Sequence, residues 1–244
     1  MKMTYATLGK ITKVLLLLSL SALSLTACED SNCIKGEGDV EVRTLNLQPF
    51  TSVEANGDFK VYLSQGEEQK VEVKGEPNIL NQLQTNIKNE TWLIEHRDCV
   101  RRSKPVEVYI TIPSVEALYL NGSGGIYSQN LLDVGELPVT VNGSGKIELD
   151  VAASKVITRI TGSGEVLLQG EVPVHHVNIS GSGRAEAFNL QAAHVTVNLS
   201  GSGAAEVTAL NSLDVTISGS GNVYYKGNPT ITQSVSGSGK VIRN

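Results

Sequence analysis

The stretch SLDVTISGSGNVYYKG, residues 212–227, decides the fold. Apolar and polar residues alternate on both sides of a Gly-Ser-Gly, the period-two pattern of a half-buried strand. The alternation runs straight through the motif. Leu213, Val215, Ile217, Gly219, Gly221 and Val223 share one parity, and Ser220 has the other. The same three letters occur seven times, with glycine pairs at Gly122 and Gly124, Gly143 and Gly145, Gly162 and Gly164, Gly181 and Gly183, Gly201 and Gly203, Gly219 and Gly221, and Gly237 and Gly239.

The first glycines are 21, 19, 19, 20, 18 and 18 residues apart. A period near 19, strand-like on both sides and without helical pattern, is the mark of a stacked repeat. The sequence predicts an all-β, β-helix-like single solenoid with two short strands per rung and Gly-Ser-Gly at the corner. On the inside of a bend the backbones crowd, and glycine removes the colliding Cβ. The serines, Ser123 to Ser238, would form an outward ladder. A phosphate-binding glycine loop must open a helix, and here strands follow every copy. Calcium-binding β-roll repeats need an Asp after the second glycine. The residues in that row are Gly125, Lys146, Glu165, Arg184, Ala204, Asn222 and Lys240.

Three lysines and no acid precede an apolar run from Val14 to Ala27, too short for the roughly 20 residues of a membrane span. This reads as a secretory signal. Its end, Leu25-Thr26-Ala27-Cys28, resembles the lipobox of bacterial lipoproteins, which implies acylation of Cys28. Cleavage beside a chance cysteine is the alternative. Several acyl chains on one residue hold a protein on a membrane without spanning it. Loss of residues 1–27 leaves 17 basic against 25 acidic residues, a balance of −8, which excludes electrostatic attraction to nucleic acid. Cys33 and Cys99 then remain as a pair. In an oxidising compartment they favour a disulfide over a metal site, since no other Cys or His stands at ligand spacing.

The expected organisation is a signal peptide at 1–27, an anchor and short tether at 28–35, an opening rung and cap at 36–113, and the repeat solenoid at 114–244. In VEANGDFKVYL (53–63), Gly57 takes the first-glycine place and Phe59 the second. A short helix or turn is expected near EPNILNQLQ, and strands at TNIK and TWLIEH joined at Asn89-Glu90. Terminal repeats are atypical because they must cover an open core. Trp92 is read as core.

The stretches CIKGEGDVEVRTLNLQPFTSVEANGDFKVYLSQGE (33–67) and VYITIPSVEALYLNGSGGI (108–126), with the later Gly-Ser-Gly rungs, resemble the bacterial DUF2807 family, the "putative auto-transporter adhesin, head GIN domain". The resemblance implies an envelope or secreted β-solenoid and carries no catalytic residues.

These features point to a lipid-anchored, non-catalytic, adhesin-like module of the cell envelope. The outer membrane is the expected site, on either its periplasmic or its surface face, with a glycan or protein bound on a solenoid face. Tyr119, Tyr127 and Tyr224 point outward by parity. No cofactor or metal is expected, and the C-terminal strand edge invites self-association. The alternatives are a polysaccharide-acting β-helix enzyme and a purely structural envelope protein. Glu186 and Glu206 would stack on adjacent rungs with Glu148 lower in the row, read as a solvated face. Polar side chains converging in one concave pocket would favour the enzyme; a pocketless surface would argue against it. His175 and His176 point to opposite faces of a strand, and the serines lack a neighbouring base.

Overall fold

The computed structural model describes residues 33–101 and 103–244. Cys28 and the signal segment lie outside them. Ile34–Asn244 forms one compact unit, nearly all β, a solenoid of about 7 turns.

The opening rung is made by β3 (Ser52–Gly57) and β4 (Lys60–Gln65). On it stack β10 (Ala117–Gly122) and β11 (Gly125–Ser128), then β12 (Leu132–Gly143), β13 (Lys146–Gly162), β14 (Glu165–Gly181), β15 (Arg184–Gly201) and β16 (Ala204–Gly219). Finally come β17 (Asn222–Lys226), β18 (Thr230–Gly237) and β19 (Lys240–Arg243). All these neighbours pair in parallel, and each first glycine sits on the first glycine below it, from Gly57–Gly122 to Gly219–Gly237.

The expected two short strands per rung differ from what is seen. β13 to β16 each run unbroken for 16–18 residues from one Gly-Ser-Gly to the next. The second bend is taken inside the strand, so the ladder is kept across it. Gly170 shows how: its φ is +121°, and a Cβ there would fall 2.0 Å from the Val151 carbonyl oxygen.

At the corners the first glycine of every copy has positive φ. Its carbonyl accepts from the corner above; Gly201 O, for example, takes the N–H groups of Ser220 and Gly221 at 2.9 and 3.0 Å. The seven serines are exposed, while the aliphatic residues of the opposite parity fill one continuous core. Burying each such side chain contributes about 1.5–3 kcal/mol.

The other end is closed differently. Beneath β4 lies β9 (Glu107–Ile112), which pairs antiparallel with β5 (Lys70–Gly75), and β5 pairs with β2 (Glu41–Thr44). Beneath β3 lies a hairpin of β6 (Ile87–Lys88) and β7 (Thr91–Ile94). Asn89 and Glu90 turn it with φ of 50° and 54°, the double positive φ of a two-residue hairpin loop. A single turn of helix, α1 (Pro77–Leu80), starts on its proline and buries Ile79 and Leu80. Trp92 is fully buried, and its Nε1 donates to Gln84 O. Cys33 and Cys99 are disulfide-bonded, next to a two-strand ladder of β1 (Ile34–Lys35) and β8 (Val100–Arg101).

Candidate functional site

Parallel stacking places one outward residue of each rung above the next, about 4.8 Å apart. One such column reads Tyr109, Tyr62, Tyr127, Glu148, Leu167, Glu186, Glu206, Tyr224. The rung spacing makes its lower end a stack of rings: Tyr62 lies 4.9 Å from Tyr109 and 5.7 Å from Tyr127, centre to centre. Tyr109 donates its hydroxyl to Glu107 Oε2 at 2.6 Å, and Lys74 Nζ donates to the same oxygen at 3.1 Å. That hydrogen bond pushes Tyr109 up to about 12 and holds Glu107 below the usual carboxylate range.

Beside the carboxylate half of the column lies a groove of about 510 Å³ crossing six rungs. Its lips come from the two longest repeats. In the 21-residue interval from Gly122 to Gly143, the surplus residues form a bend at Gln129 and Asn130. In the 20-residue interval from Gly181 to Gly201, the register slips between Leu167 and Gln169 and pushes Phe188 out of the ladder. Bulges of this kind re-aim side chains. Thr208 Oγ1 fastens the bulge by donating to Phe188 O at 2.8 Å, and Lys226 Nζ sits 4.3 Å above the Phe188 ring.

Beside the groove, Arg184 reaches Glu186 at 3.7 Å and Glu206 at 3.4 Å. Glu186 is nevertheless raised above an ordinary carboxyl, first by burial and then by the neighbouring Glu165 and Glu206 carboxylates. The carboxylates therefore share a cation rather than splaying apart.

The sequence placed Glu148, Glu186 and Glu206 in one row and read Tyr127 and Tyr224 only as outward; the structure sets all five on this column. The sequence reading missed Tyr62 and Tyr109. Tyr62 was legible: aligning Gly57 with Gly122 puts it under Tyr127. Tyr109 was not, because no glycine marks the β9 level. Tyr119 belongs to another column, paired with Glu54 and Thr140. The surface is not pocketless, and more than three polar side chains meet in the groove. Among the described residues, no three His, Cys, Asp or Glu are placed to hold a metal.

The profile of the DUF2807 family, "Putative auto-transporter adhesin, head GIN domain", matches residues 49–229. Solved structures share the fold. A "putative adhesin" of Bacteroides fragilis is 25% identical with a TM-score of 0.80, over 86% of this chain and 100% of that one. A "putative lipid binding protein" of Parabacteroides distasonis is 23% identical with a TM-score of 0.71, over 86% and 99%. A "putative adhesin" of Parabacteroides merdae is 21% identical with a TM-score of 0.73, over 86% and 98%. A comparison with curated proteins finds no match.

Proposed function

Because the chain belongs to the DUF2807 family, we propose that it is an envelope-anchored, non-catalytic, adhesin-like module that holds an extended glycan along the tyrosine column and the groove above it. The observation that carries this reading is the continuity of one column: stacked rings at Tyr109, Tyr62 and Tyr127 run directly into the carboxylates of the groove. The rings cover one another's faces, so the stack offers a ribbon of ring edges and phenol hydroxyls along which a sugar can lay its C–H groups, while its hydroxyls meet the carboxylates and amides of the groove. The names of the neighbouring structures support an adhesin-like role at the envelope or cell surface. One neighbour is named for lipid, but an acyl chain laid here would strip water from Glu148, Glu186 and Glu206, at a cost for each charge.

The enzyme alternative calls for a free acid–base pair. Arg184, beside the groove, pairs with both Glu186 and Glu206, an arrangement that suits holding a ligand better than proton transfer. The anchor would be the acylated Cys28.

A glycan array probed with the full chain and with Tyr62→Ala and Tyr127→Ala tests the reading. Each substitution should weaken the retained glycan severalfold, from the loss of apolar contact along the ring edges. Undiminished binding by both variants would overturn the site, and new reducing ends on the bound glycan would establish the enzyme instead. Separately, Cys28→Ser should release the chain from the membrane fraction; retention without lipid on the mature N-terminus would remove the anchor.

A further inference from the structure

The two ends of the stack are finished in opposite ways. At the cap, the outer strand β2 carries Glu41 and Arg43, which pair with each other, and Arg43 also donates to Asn81 Oδ1 and Pro77 O. Charge and antiparallel neighbours guard that edge against further pairing. At the far end, among the described residues, nothing pairs the outer edge of β18. From Asn228 to Ser238 the sequence NPTITQSVSGS has no charged residue. Ile231 and Val235 have the core-facing parity, above Leu213 and Ile217, yet are 37% and 41% exposed.

The order of residues on this edge is self-complementary. Ile231, Gln233 and Val235 face the core in turn. A second copy laid antiparallel about Gln233 sets each Ile231 opposite the other's Val235 and brings the two Gln233 amides together. Each amide can then donate to and accept from its twin. Below Gln233 the column runs through Val215, Val197 and Val177 before it meets Thr158, so the amide stands alone at the open end of an apolar stretch. A lone polar residue in such a seam fixes register, as buried Asn does in coiled coils. A two-fold axis brings like charges face to face, which an uncharged strand avoids.

We propose that the open rung is a homophilic docking surface, at which a second copy of this chain pairs β18 to β18 across a two-fold axis at Gln233. The axis lies across the solenoid, so the two cores join end to end and the two caps point away from each other. Residues 230–244 number fewer than the roughly 20–30 per side of a standard interface, which makes the contact weak and reversible. The pairing does not depend on the groove. Its consequence does depend on the N-terminal anchor: copies held at their capped ends would meet from facing membranes.

The test is cysteine cross-linking of the full chain extracted in mild detergent. Opposed residues of an antiparallel pair lie about 4.5–5.5 Å apart at Cα, within disulfide reach. Gln233→Cys should give a covalent dimer on mild oxidation, at least fivefold more than Thr216→Cys one rung inside. Equal yields would overturn the pairing. Phosphatidylcholine vesicles carrying the wild-type chain should cluster and those carrying Gln233→Lys should not, with the same melting temperature for both chains. Clustering by both would overturn the facing arrangement.

Discussion

Thr158 Oγ1 lies 3.0 Å from His175 Nε2, one rung apart, inside a core that is otherwise almost wholly aliphatic. Both side chains are buried. Burial, with a smaller contribution from His176, pushes His175 down to about 3 from 6.5.

The pH dependence follows from that shift. Below about 6.5 the unfolded chain takes up a proton that the fold refuses, so this histidine's contribution is complete above pH 6.5 and is lost as pH falls toward 3. The slope is about 1.4 kcal/mol per pH unit. Val156 and Val195 flank His175 in its column, so the paired change Thr158→Val with His175→Val fits the site. Urea titrations at pH 7, 5 and 4 should show a smaller acid loss in this variant than in the parent. Parallel losses would show that His175 does not set the acid limit.

At the corner the two residue types should separate. A Cβ on Gly221 would lie 2.4 Å from both Gly203 O and Leu199 Cδ2, and the backbone oxygen cannot step aside. Gly221→Val should cost at least the 1–3 kcal/mol of ordinary overpacking. Ser220 is exposed, and Ser220→Ala should cost under about 1 kcal/mol. At about 2–4 °C per kcal/mol for a chain of this size, calorimetry resolves the two. Equal melting temperatures would refute the corner role of the glycine.

Tyr109 gives the candidate site a spectroscopic handle. Its hydrogen bond to Glu107 disfavours the phenolate, so Tyr109 should ionise in a late phase near 12. In Glu107→Gln the charge is gone and that late phase should move back toward 10. An ultraviolet titration unchanged by the substitution would mean that the pair does not form in solution.

Opening the Cys33–Cys99 bridge should destabilise the cap. In the chain-entropy picture a loop of this length contributes about 4 kcal/mol. Cys99→Ser should therefore lower the denaturant midpoint substantially, and reductant should do the same to the parent but not to the variant.

Much of this architecture was legible in the residues. The parity through Gly219, Ser220 and Gly221 gave the inside and outside at the corners, because an undisturbed strand alternates its side chains. The degenerate rung at Gly57 and Phe59 was legible for the same reason. What escaped was set by counting rather than by type. The groove arises where one rung exceeds its neighbour by a residue or two, and a single sequence shows the unequal spacing but not where the surplus leaves the ladder. Phe188 reads as one more strand residue until the register shift expels it. The buried Thr158–His175 contact is likewise diagonal between rungs, beyond any periodicity along the chain.

The Cys33–Cys99 bridge also has a mechanical meaning. Tension applied at the N-terminus reaches Cys33 and crosses the sulfur–sulfur bond to Cys99 without passing through residues 34–98. The hairpin and α1 are thus bypassed along the covalent chain, and the force enters through β9, whose ladders with β4 and β5 pass it to the stack. The inter-rung hydrogen bonds run along the stacking axis. Traction along that axis tests them a rung at a time, whereas traction across it must shear whole strands together. A chain held at one end and pulled at its flank would resist most strongly in the second geometry.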